Sequence, residues 1–289
     1  MKKTVFTGVC TALVTPFING EVNYPMLEML LKRQLEAGVK AVVIAGTTGE
    51  SATLSDSEKI NMFRRAKAYC GKDCTIIAGT GSNNTAHSVE ISKAAEVAGA
   101  DALLVVSPYY NKATSDGLVA HYSAIAHSVE IPVIMYNVPS RTGLDIPVQV
   151  YRNLQSIPNI VGVKEASTDI TKVARIQNAC SKDFTIYSGN DDQIVPVMAL
   201  GGKGKISVIS NVLPVETMAI TNAALCGDFQ TAATLQRRLL PLIDIMFCQV
   251  NPIPVKAAMG ILGYDCGSCR LPLTDLSEEN MEKLISYLS

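Results

Sequence analysis

The sequence has no excess of charge of either sign and no long hydrophobic run. It contains 25 lysines and arginines against 26 aspartates and glutamates, a net charge of -1, so neither a nucleic acid nor an anionic membrane is indicated as a partner. No apolar run approaches the length of a membrane-spanning helix. Hydrophobic residues make up 48% of the chain and charged residues 18%, a balance typical of a globular protein with a large buried core.

Histidine is scarce, and this limits the metal sites that the chain can build. The three histidines, His87, His121 and His127, lie far in sequence from Cys266 and Cys269, which form a Cys-x-x-Cys pair. A structural zinc site needs a second pair or nearby histidines, so we predict that the protein holds no metal. The eight cysteines are interpreted as reduced core residues, because a large chain without a signal peptide is typical of a reducing compartment.

The amino-terminal residues have some features of a signal peptide. Residues 1–4 are basic and residues 5–14 are mostly apolar. Polar residues such as Thr7 and Thr11 interrupt the apolar run, however, and no small-residue cleavage site follows it. We therefore interpret the run as a first β-strand and predict a cytoplasmic protein.

Short apolar runs alternate with amphipathic segments along most of the chain. The segment 24–37, for example, places Leu27, Leu30, Leu31 and Leu35 on one face of a helix. Repeated strand–helix units of about 30 residues indicate a parallel sheet with helices outside it, and we predict a (β/α)8 TIM barrel in preference to an open doubly wound sheet. The predicted strands are residues 9–14, 41–45, 75–78, 102–106, 133–136, 160–164, 185–188 and 205–209.

Beyond Asn211 the alternation ends. Four segments have a helical pattern with no strand pattern between them: residues 214–226, 228–249, 254–262 and 277–288. The first of these is predicted to be the last helix of the barrel. We therefore predict a catalytic barrel over residues 1–225 and a C-terminal helical extension over residues 226–289.

The predicted sixth strand carries the most informative residue, Lys164. The run Ile160-Val-Gly-Val is apolar and ends on this lysine. In TIM barrels the active site is built where the strands end. Partial burial there favours a neutral amine, which attacks carbonyl carbons to form a Schiff base. The alternative interpretation is a lysine that extends from the strand end into solvent.

Other strand ends supply groups that suit the same chemistry. Tyr136 ends the neighbouring strand, and a phenol beside an amine can transfer protons during imine formation. Arg141 follows, with a planar guanidinium suited to a carboxylate. The segment Gly46-Thr-Thr-Gly49 offers backbone N–H groups and two hydroxyls to a carboxylate, although it also fits an ordinary tight turn. Together these groups predict aldolase-type chemistry with no metal and no organic cofactor.

Two polar segments late in the predicted barrel are given structural roles. Asp191 and Asp192 open a predicted helix over residues 191–200, and we interpret them as N-cap residues rather than metal ligands. The glycine-rich segment 201–205 lacks the spacing of a phosphate-binding loop, so we interpret it as the turn into the eighth strand.

Several motifs of the chain resemble those of the dihydrodipicolinate synthase family of pyruvate-dependent class I aldolases. They are Gly46-Thr-Thr-Gly-Glu50, Tyr136-Asn-Val-Pro-Ser-Arg-Thr-Gly143 and Val163-Lys-Glu-Ala166. The resemblance runs over essentially the whole chain, including Asn251-Pro-Ile-Pro-Val-Lys256. The wider superfamily, which includes N-acetylneuraminate lyase, shares the lysine and the barrel but usually not the Asn-Val-Pro-Ser-Arg-Thr-Gly run.

The resemblance implies catalytic roles for four residues. Lys164 would form the Schiff base with pyruvate. Tyr136 would transfer protons in a relay with Thr47 and Tyr110. In the family the tyrosine that matches Tyr110 reaches in from the neighbouring subunit, so a dimer is the smallest complete catalytic unit. Most members are homotetramers built as dimers of dimers.

The resemblance also implies the substrates, pyruvate and L-aspartate 4-semialdehyde. Thr48 and Ile206 would line the pyruvate site. Arg141 would hold the carboxylate of the semialdehyde, and Gly189 would border the pocket. The product would be 4-hydroxy-tetrahydrodipicolinate, on the route to diaminopimelate and lysine. Two alternatives stay open, another pyruvate-dependent class I aldolase of the superfamily and a non-catalytic barrel that binds a keto acid.

One region departs from part of the family. Members that lysine inhibits bind it at the dimer interface, near positions that match Ser51, Ala52, Asn83 and Tyr109. Inhibited bacterial members typically carry a histidine where this chain has Lys59 and a glutamate where it has His87. Losing an anion and adding positive charge disfavours an ammonium ligand. We therefore predict a degenerate effector site with weak or absent inhibition by lysine.

Overall fold

The computed structural model describes residues 2–288; Met1 and Ser289, the outer ends of the two predicted units, lie outside the described residues. Eight strands of the described chain close into a parallel barrel, in which β10 returns to pair with β1, and β2 and β3 form a separate antiparallel hairpin. The predicted (β/α)8 TIM barrel is confirmed. In chain order the strands are β1 (Gly8–Ala12), β2 (Phe17–Ile18), β3 (Glu21–Val22), β4 (Ala41–Ile44), β5 (Thr75–Gly79), β6 (Ala102–Val106), β7 (Val133–Asn137), β8 (Ile160–Glu165), β9 (Thr185–Ser188) and β10 (Gly204–Ser207).

The helices fall into those that follow barrel strands and those beyond the last strand. They are α1 (Tyr24–Glu36), α2 (Asp56–Cys70), α3 (Thr85–Val97), α4 (Ser115–Ala126), α5 (Pro139–Thr142), α6 (Val148–Leu154), α7 (Ile170–Ala179), α8 (Ile194–Ala199), α9 (Pro214–Leu225), α10 (Phe229–Met246), α11 (Ile253–Ile261) and α12 (Glu278–Leu288). Helix α10 packs along α8 and α9, and α12 packs on α10 and α11. The division of the chain after residue 225 stays a prediction. Within residues 2–288, no helix combines the length and the hydropathy that crossing a membrane requires.

The register of the strands places Lys164 level with two tyrosines. Its cross-strand partners are Tyr136 on β7 and Tyr187 on β9. Both tyrosines, with Ile206, belong to the apolar cluster inside the barrel, whereas Val163 belongs to the larger core between the strands and the helices. Because side chains alternate along a strand, Lys164 faces the interior of the barrel.

Local sequence explains two details that position these strands. Ser55 caps α2, since its hydroxyl accepts from the Glu58 N–H while the Glu58 carboxylate accepts from the Ser55 N–H. Gly162 lies where β8 passes β9, and a Cβ atom there would sit 2.1 Å from the carbonyl oxygen of Thr185. Only glycine fits at that position, so the residue before Val163 and Lys164 has a steric requirement.

The structure departs from the predicted elements in several short segments. Strand β10 ends at Ser207, two residues before its predicted end, because Ile209–Asn211 forms a 3-10 turn. The predicted helix over residues 191–200 is a 3-10 turn followed by the shorter α8. The sequence pattern does not predict the β2–β3 hairpin or α5, since neither is long enough to show a hydrophobic period.

The cysteines are less uniform than predicted. All eight are free thiols, and Cys10, Cys70, Cys74 and Cys266 are buried. Two others, Cys226 and Cys248, are exposed. The interpretation as core residues is therefore wrong for these two, which lie where α9 and α10 end and turn toward solvent.

Candidate active site

Lys164 is the last residue but one of strand β8 and faces the inside of the barrel. Its side chain is 5% exposed, and its Nζ atom lies 4.3 Å from the centroid of the Tyr136 ring. The prediction that these two side chains meet at neighbouring strand ends is confirmed by this contact. The arrangement places a buried amine beside the ring of a tyrosine.

Lys164 differs from the other buried lysines of the chain. Each of the other three has a carboxylate partner within 4.0 Å, whereas among the described residues no aspartate or glutamate lies that close to Lys164. The alternative interpretation of Lys164 as a lysine reaching solvent is wrong, since its side chain stays buried. The three pairs are Lys172 with Asp145, Lys205 with Asp191, and Lys256 with Glu50.

The segment after β4 folds into a tight turn that carries both predicted threonines. The N–H groups of Gly49 and Ser51 donate to the Gly46 carbonyl at 3.1 and 3.2 Å. Glu50 has a left-handed backbone conformation with φ of 56°. Its carboxylate accepts from Lys256 Nζ at 2.9 Å and from the Arg270 N–H at 2.8 Å. The turn is therefore anchored to the carboxyl-terminal part of the chain through one buried glutamate.

A cavity of about 680 Å³ opens at the carboxyl ends of β4 to β7. Three of the predicted catalytic and substrate-binding residues line it, namely Thr47, Tyr136 and Arg141. Five predicted effector-site residues also line this cavity: Ser51, Ala52, Lys59, His87 and Tyr109.

The remaining predicted residues lie beside this cavity or away from it. Thr48 and Ile206 are buried, and Ile206 packs in the barrel interior with Tyr136. The Gly189 N–H donates to the carbonyl of Glu165 at 2.7 Å, which ties the end of β9 to the end of β8. Asn83 Nδ2 donates to the Tyr109 carbonyl at 3.3 Å, so it holds the loop after β6.

Arg141 and Tyr110 are the two exposed members of the predicted catalytic and substrate-binding residues. Arg141 lies on α5, lines the cavity, and has no carboxylate within 4.0 Å among the described residues. Tyr110 is 92% exposed with a backbone φ of 71°, a conformation that bulky residues rarely adopt. It does not line the cavity of its own chain.

The predicted effector residues surround a carboxylate that sequence reasoning missed. His87 Nε2 lies 3.0 and 2.9 Å from the two oxygens of Asp56, and Lys59 Nζ lies 4.0 Å from Asp56 Oδ1. Burial lowers the pKa of the Lys59 amine, and the nearby Asp56 charge opposes that shift. The single Asp56 charge is thus already shared between two basic side chains at this end of the cavity.

Asp191 is not a helix cap, and that interpretation is wrong. Its carboxylate accepts from Ser207 Oγ at 2.7 Å and from the N–H groups of Val208 and Ile209 at 3.0 and 3.2 Å. It also lies 2.8 Å from Lys205 Nζ. Burial lowers the pKa of Lys205 to about 8, against the attraction of Asp191. The segment 201–205 does turn the chain into β10, as predicted.

Asn251 also lines the cavity, although the sequence marks it only as part of a longer motif. Its side chain is 5% exposed, and Nδ2 donates to Thr48 Oγ1 at 3.0 Å. Only the tertiary fold reveals this contact, because 203 residues separate the two positions.

Comparison with known proteins places the whole chain in one family. A model described as the dihydrodipicolinate synthetase family matches residues 5–289. The 4-hydroxy-tetrahydrodipicolinate synthase of Acetivibrio thermocellus is 48% identical over 284 residues, which cover 98% of this chain and 97% of that protein. The crystal structure of dihydrodipicolinate synthase from Aquifex aeolicus has a TM-score of 0.97 and 42% identity, covering 98% of this chain and 97% of that one.

Proposed function

The chain belongs to the dihydrodipicolinate synthetase family, and we infer that it condenses pyruvate with L-aspartate 4-semialdehyde to give 4-hydroxy-tetrahydrodipicolinate, in diaminopimelate and lysine biosynthesis. The reaction passes through a Schiff base, which makes the enzyme a lyase of class I aldolase type. One observation carries the assignment of the nucleophile: Lys164 is a buried lysine beside a tyrosine, with no carboxylate partner among residues 2–288.

The proposed reaction begins at the Lys164 amine. The amine adds to C2 of pyruvate, and the carbinolamine loses water to give an imine. Loss of a C3 proton gives an enamine, whose C3 attacks the aldehyde carbon of the semialdehyde. The amino nitrogen of that substrate then attacks C2, which closes the ring and releases Lys164. Tyr136 stands beside the reacting nitrogen, where its phenol can give and take the protons of these steps.

The other predicted residues receive binding roles in this proposal. Arg141 lies on the cavity wall with no carboxylate of the chain beside it, so its guanidinium is free to bind the carboxylate of the semialdehyde. Thr47 lines the same cavity and extends the proton relay from Tyr136. Thr48, Ile206 and Gly189 form the buried end of the pyruvate site.

We also propose that Tyr110 completes the relay in a neighbouring subunit. The support is its exposure of 92%, its strained backbone and its position outside the cavity of its own chain. An exposed aromatic side chain of this kind suits a subunit contact. A dimer would then be the smallest active unit, and we expect a tetramer that is a dimer of dimers.

Borohydride trapping with pyruvate, followed by peptide mass mapping, tests the function. We expect a reduced pyruvyl adduct on Lys164 and none on the paired lysines Lys172, Lys205 and Lys256. An adduct on one of those residues, or no adduct, would contradict the assignment. Pyruvate binding without any turnover would instead indicate a keto-acid-binding barrel.

Arg141→Ala separates this function from that of other pyruvate aldolases. The variant should keep imine formation with pyruvate but lose turnover of the semialdehyde by about 100-fold, since a charged hydrogen-bond partner of its carboxylate is gone. Unchanged turnover of the semialdehyde would favour an aldolase with a different acceptor.

A further inference from the structure

The Asn251 side chain makes one hydrogen bond where it has the capacity for more. Its Nδ2 atom donates to Thr48 Oγ1 at 3.0 Å. Its Oδ1 atom is buried and has no hydrogen-bond partner among residues 2–288. A buried polar atom without a partner is costly, so such an atom beside a substrate cavity needs a reason. Asn251 forms part of the wall of that cavity.

The direction of this contact decides whether the Thr48 hydroxyl can donate to another group. The Asn251 amide donates through Nδ2, which leaves Oδ1 and the second Nδ2 hydrogen without partners among residues 2–288, whereas a reversed amide would accept the Thr48 proton through Oδ1. In the observed direction the Thr48 oxygen accepts, so its own proton stays uncommitted. Among the described residues no protein acceptor takes that proton. The hydroxyl is therefore left as a donor for a ligand.

A second contact already performs the structural task of joining these segments. Lys256, on α11, pairs with Glu50, in the same tight turn as Thr48, at 2.9 Å. The Arg270 N–H holds the second Glu50 oxygen at 2.8 Å. The turn is thus anchored to the carboxyl-terminal segment without Asn251, which leaves the orientation of Thr48 as the distinct contribution of the amide.

We propose that Asn251 is a positioning residue for the carboxylate of the keto-acid substrate. By donating to the oxygen of Thr48, it commits the Thr48 hydroxyl to donate its proton to that carboxylate. This proposal rests on the proposed function and on the assignment of Thr48 to the pyruvate site. Asn251 itself does not touch the reacting atoms.

Replacement of the amide by a carboxylate reverses the contact. In Asn251→Asp both side-chain oxygens accept, so the Thr48 hydroxyl donates to residue 251 and turns away from the substrate. We expect the KM for pyruvate to rise by about 10-fold or more, the size of a lost hydrogen bond to a charged group. The kcat at saturating pyruvate should stay within about threefold, since the amine and the phenol are untouched.

A double-mutant cycle distinguishes positioning from an independent role. Asn251→Ala alone should raise the KM for pyruvate by a smaller factor, and Thr48→Val alone should remove the donor. If Asn251 acts through Thr48, adding Asn251→Ala to Thr48→Val should change the KM by less than about twofold. Multiplicative effects would overturn the proposal, as would an unchanged KM in Asn251→Asp.

A matched control and the wild-type enzyme complete the test. Asn159 Nδ2 donates to the carbonyls of Ala126 and Val129 at the opposite end of the barrel, so Asn159→Asp should lower the melting temperature and leave the KM unchanged. If no Asn251 variant folds, the residue is structural and the proposal is wrong. A wild-type enzyme without a pyruvate adduct would instead mean that the proposed function has failed.

Discussion

Two strands of the same barrel each carry a buried lysine, and the surroundings of the two lysines differ. On β8, Lys164 faces the barrel interior beside the Tyr136 ring and has no carboxylate within 4.0 Å among the described residues. On β10, Lys205 is fully buried and lies 2.8 Å from Asp191. Since Ile206 points into the barrel, its neighbour Lys205 points out toward the helices. Burial is common to both lysines, so burial alone does not identify a nucleophile.

The difference between the two sites is the anion. Asp191 opposes the effect of burial on the pKa of Lys205 and favours the ammonium form, which has no lone pair with which to attack a carbonyl. Asp191 is itself fixed by Ser207 and two backbone N–H groups, so the pair at Lys205 is a rigid structural unit. Lys164 has a phenol for a neighbour, which can exchange protons with it. We conclude that the missing carboxylate separates a reactive lysine from a structural one in this barrel.

The largest effect is expected where the comparison is most direct. Lys164→Ala should reduce kcat by at least about 1,000-fold, since the covalent step is lost. Its melting temperature should change little, because no ion pair is broken. Steady-state kinetics and a thermal melt measure the two quantities. If Lys164→Ala kept turnover within tenfold of wild type, Lys164 would not be the reactive lysine.

The second prediction removes the carboxylate that pairs with Lys205. Asp191→Ala leaves Lys205 buried without a partner and should lower the free energy of unfolding by about 3–5 kcal/mol. Urea unfolding measures this loss, and Asp191→Asn provides the matched control that keeps a hydrogen-bond acceptor without the charge. Turnover per folded molecule should stay within about threefold of wild type. A stable but inactive variant would place Asp191 in the catalytic site and contradict the structural role of its pair with Lys205.

The two lysines also show what sequence reasoning can and cannot reach. Lys164 is predictable because its signal is local: an apolar run that ends in a lysine, followed along the chain by a matching motif. Tyr136 and Arg141 are predictable for the same reason. The pairing of Lys205 with Asp191 is not, since an aspartate at the start of a helix-like segment has the local features of an N-cap.

Contacts between distant parts of the chain account for the rest. Glu50 and Lys256 are 206 residues apart, and Thr48 and Asn251 are 203 apart. Closure of the barrel and the return of α11 toward the turn after β4 bring them together. No periodicity encodes such pairs, because each residue is compatible with its neighbours whether or not the partner exists. The eight-strand barrel itself is predictable, since its repeat is visible in the hydrophobic pattern.

The third prediction uses pH to compare the paired lysine with an uncharged residue. The pKa of Lys205 is lowered from 10.5 to about 8 in the folded protein. Between these values the unfolded state binds a proton that the folded state does not, so raising the pH through this window favours folding. Relative to Lys205→Met, the wild type should gain on the order of 1–3 kcal/mol of unfolding free energy between about pH 8 and pH 10. A relative loss across the window would mean that Asp191 outweighs the effect of burial.

The smallest effect is expected at Lys59, whose contact with a carboxylate is weaker than that of Lys205, whereas Lys164 has none among residues 2–288. Its Nζ atom lies 4.0 Å from Asp56, a carboxylate that His87 contacts at 2.9 Å, so one anion faces two basic groups. We expect free lysine to inhibit by less than about twofold at concentrations well above those of the substrates, since its ammonium group finds no unshared anion. Lys59→His combined with His87→Glu restores an anion and should introduce inhibition, while Lys32→His, at an exposed site on α1, serves as the control. Strong inhibition of the wild type at low lysine would show that an ammonium ligand can bind although Asp56 already contacts two basic side chains. The role of a lysine would then depend on a carboxylate partner in the barrel core but not at this site.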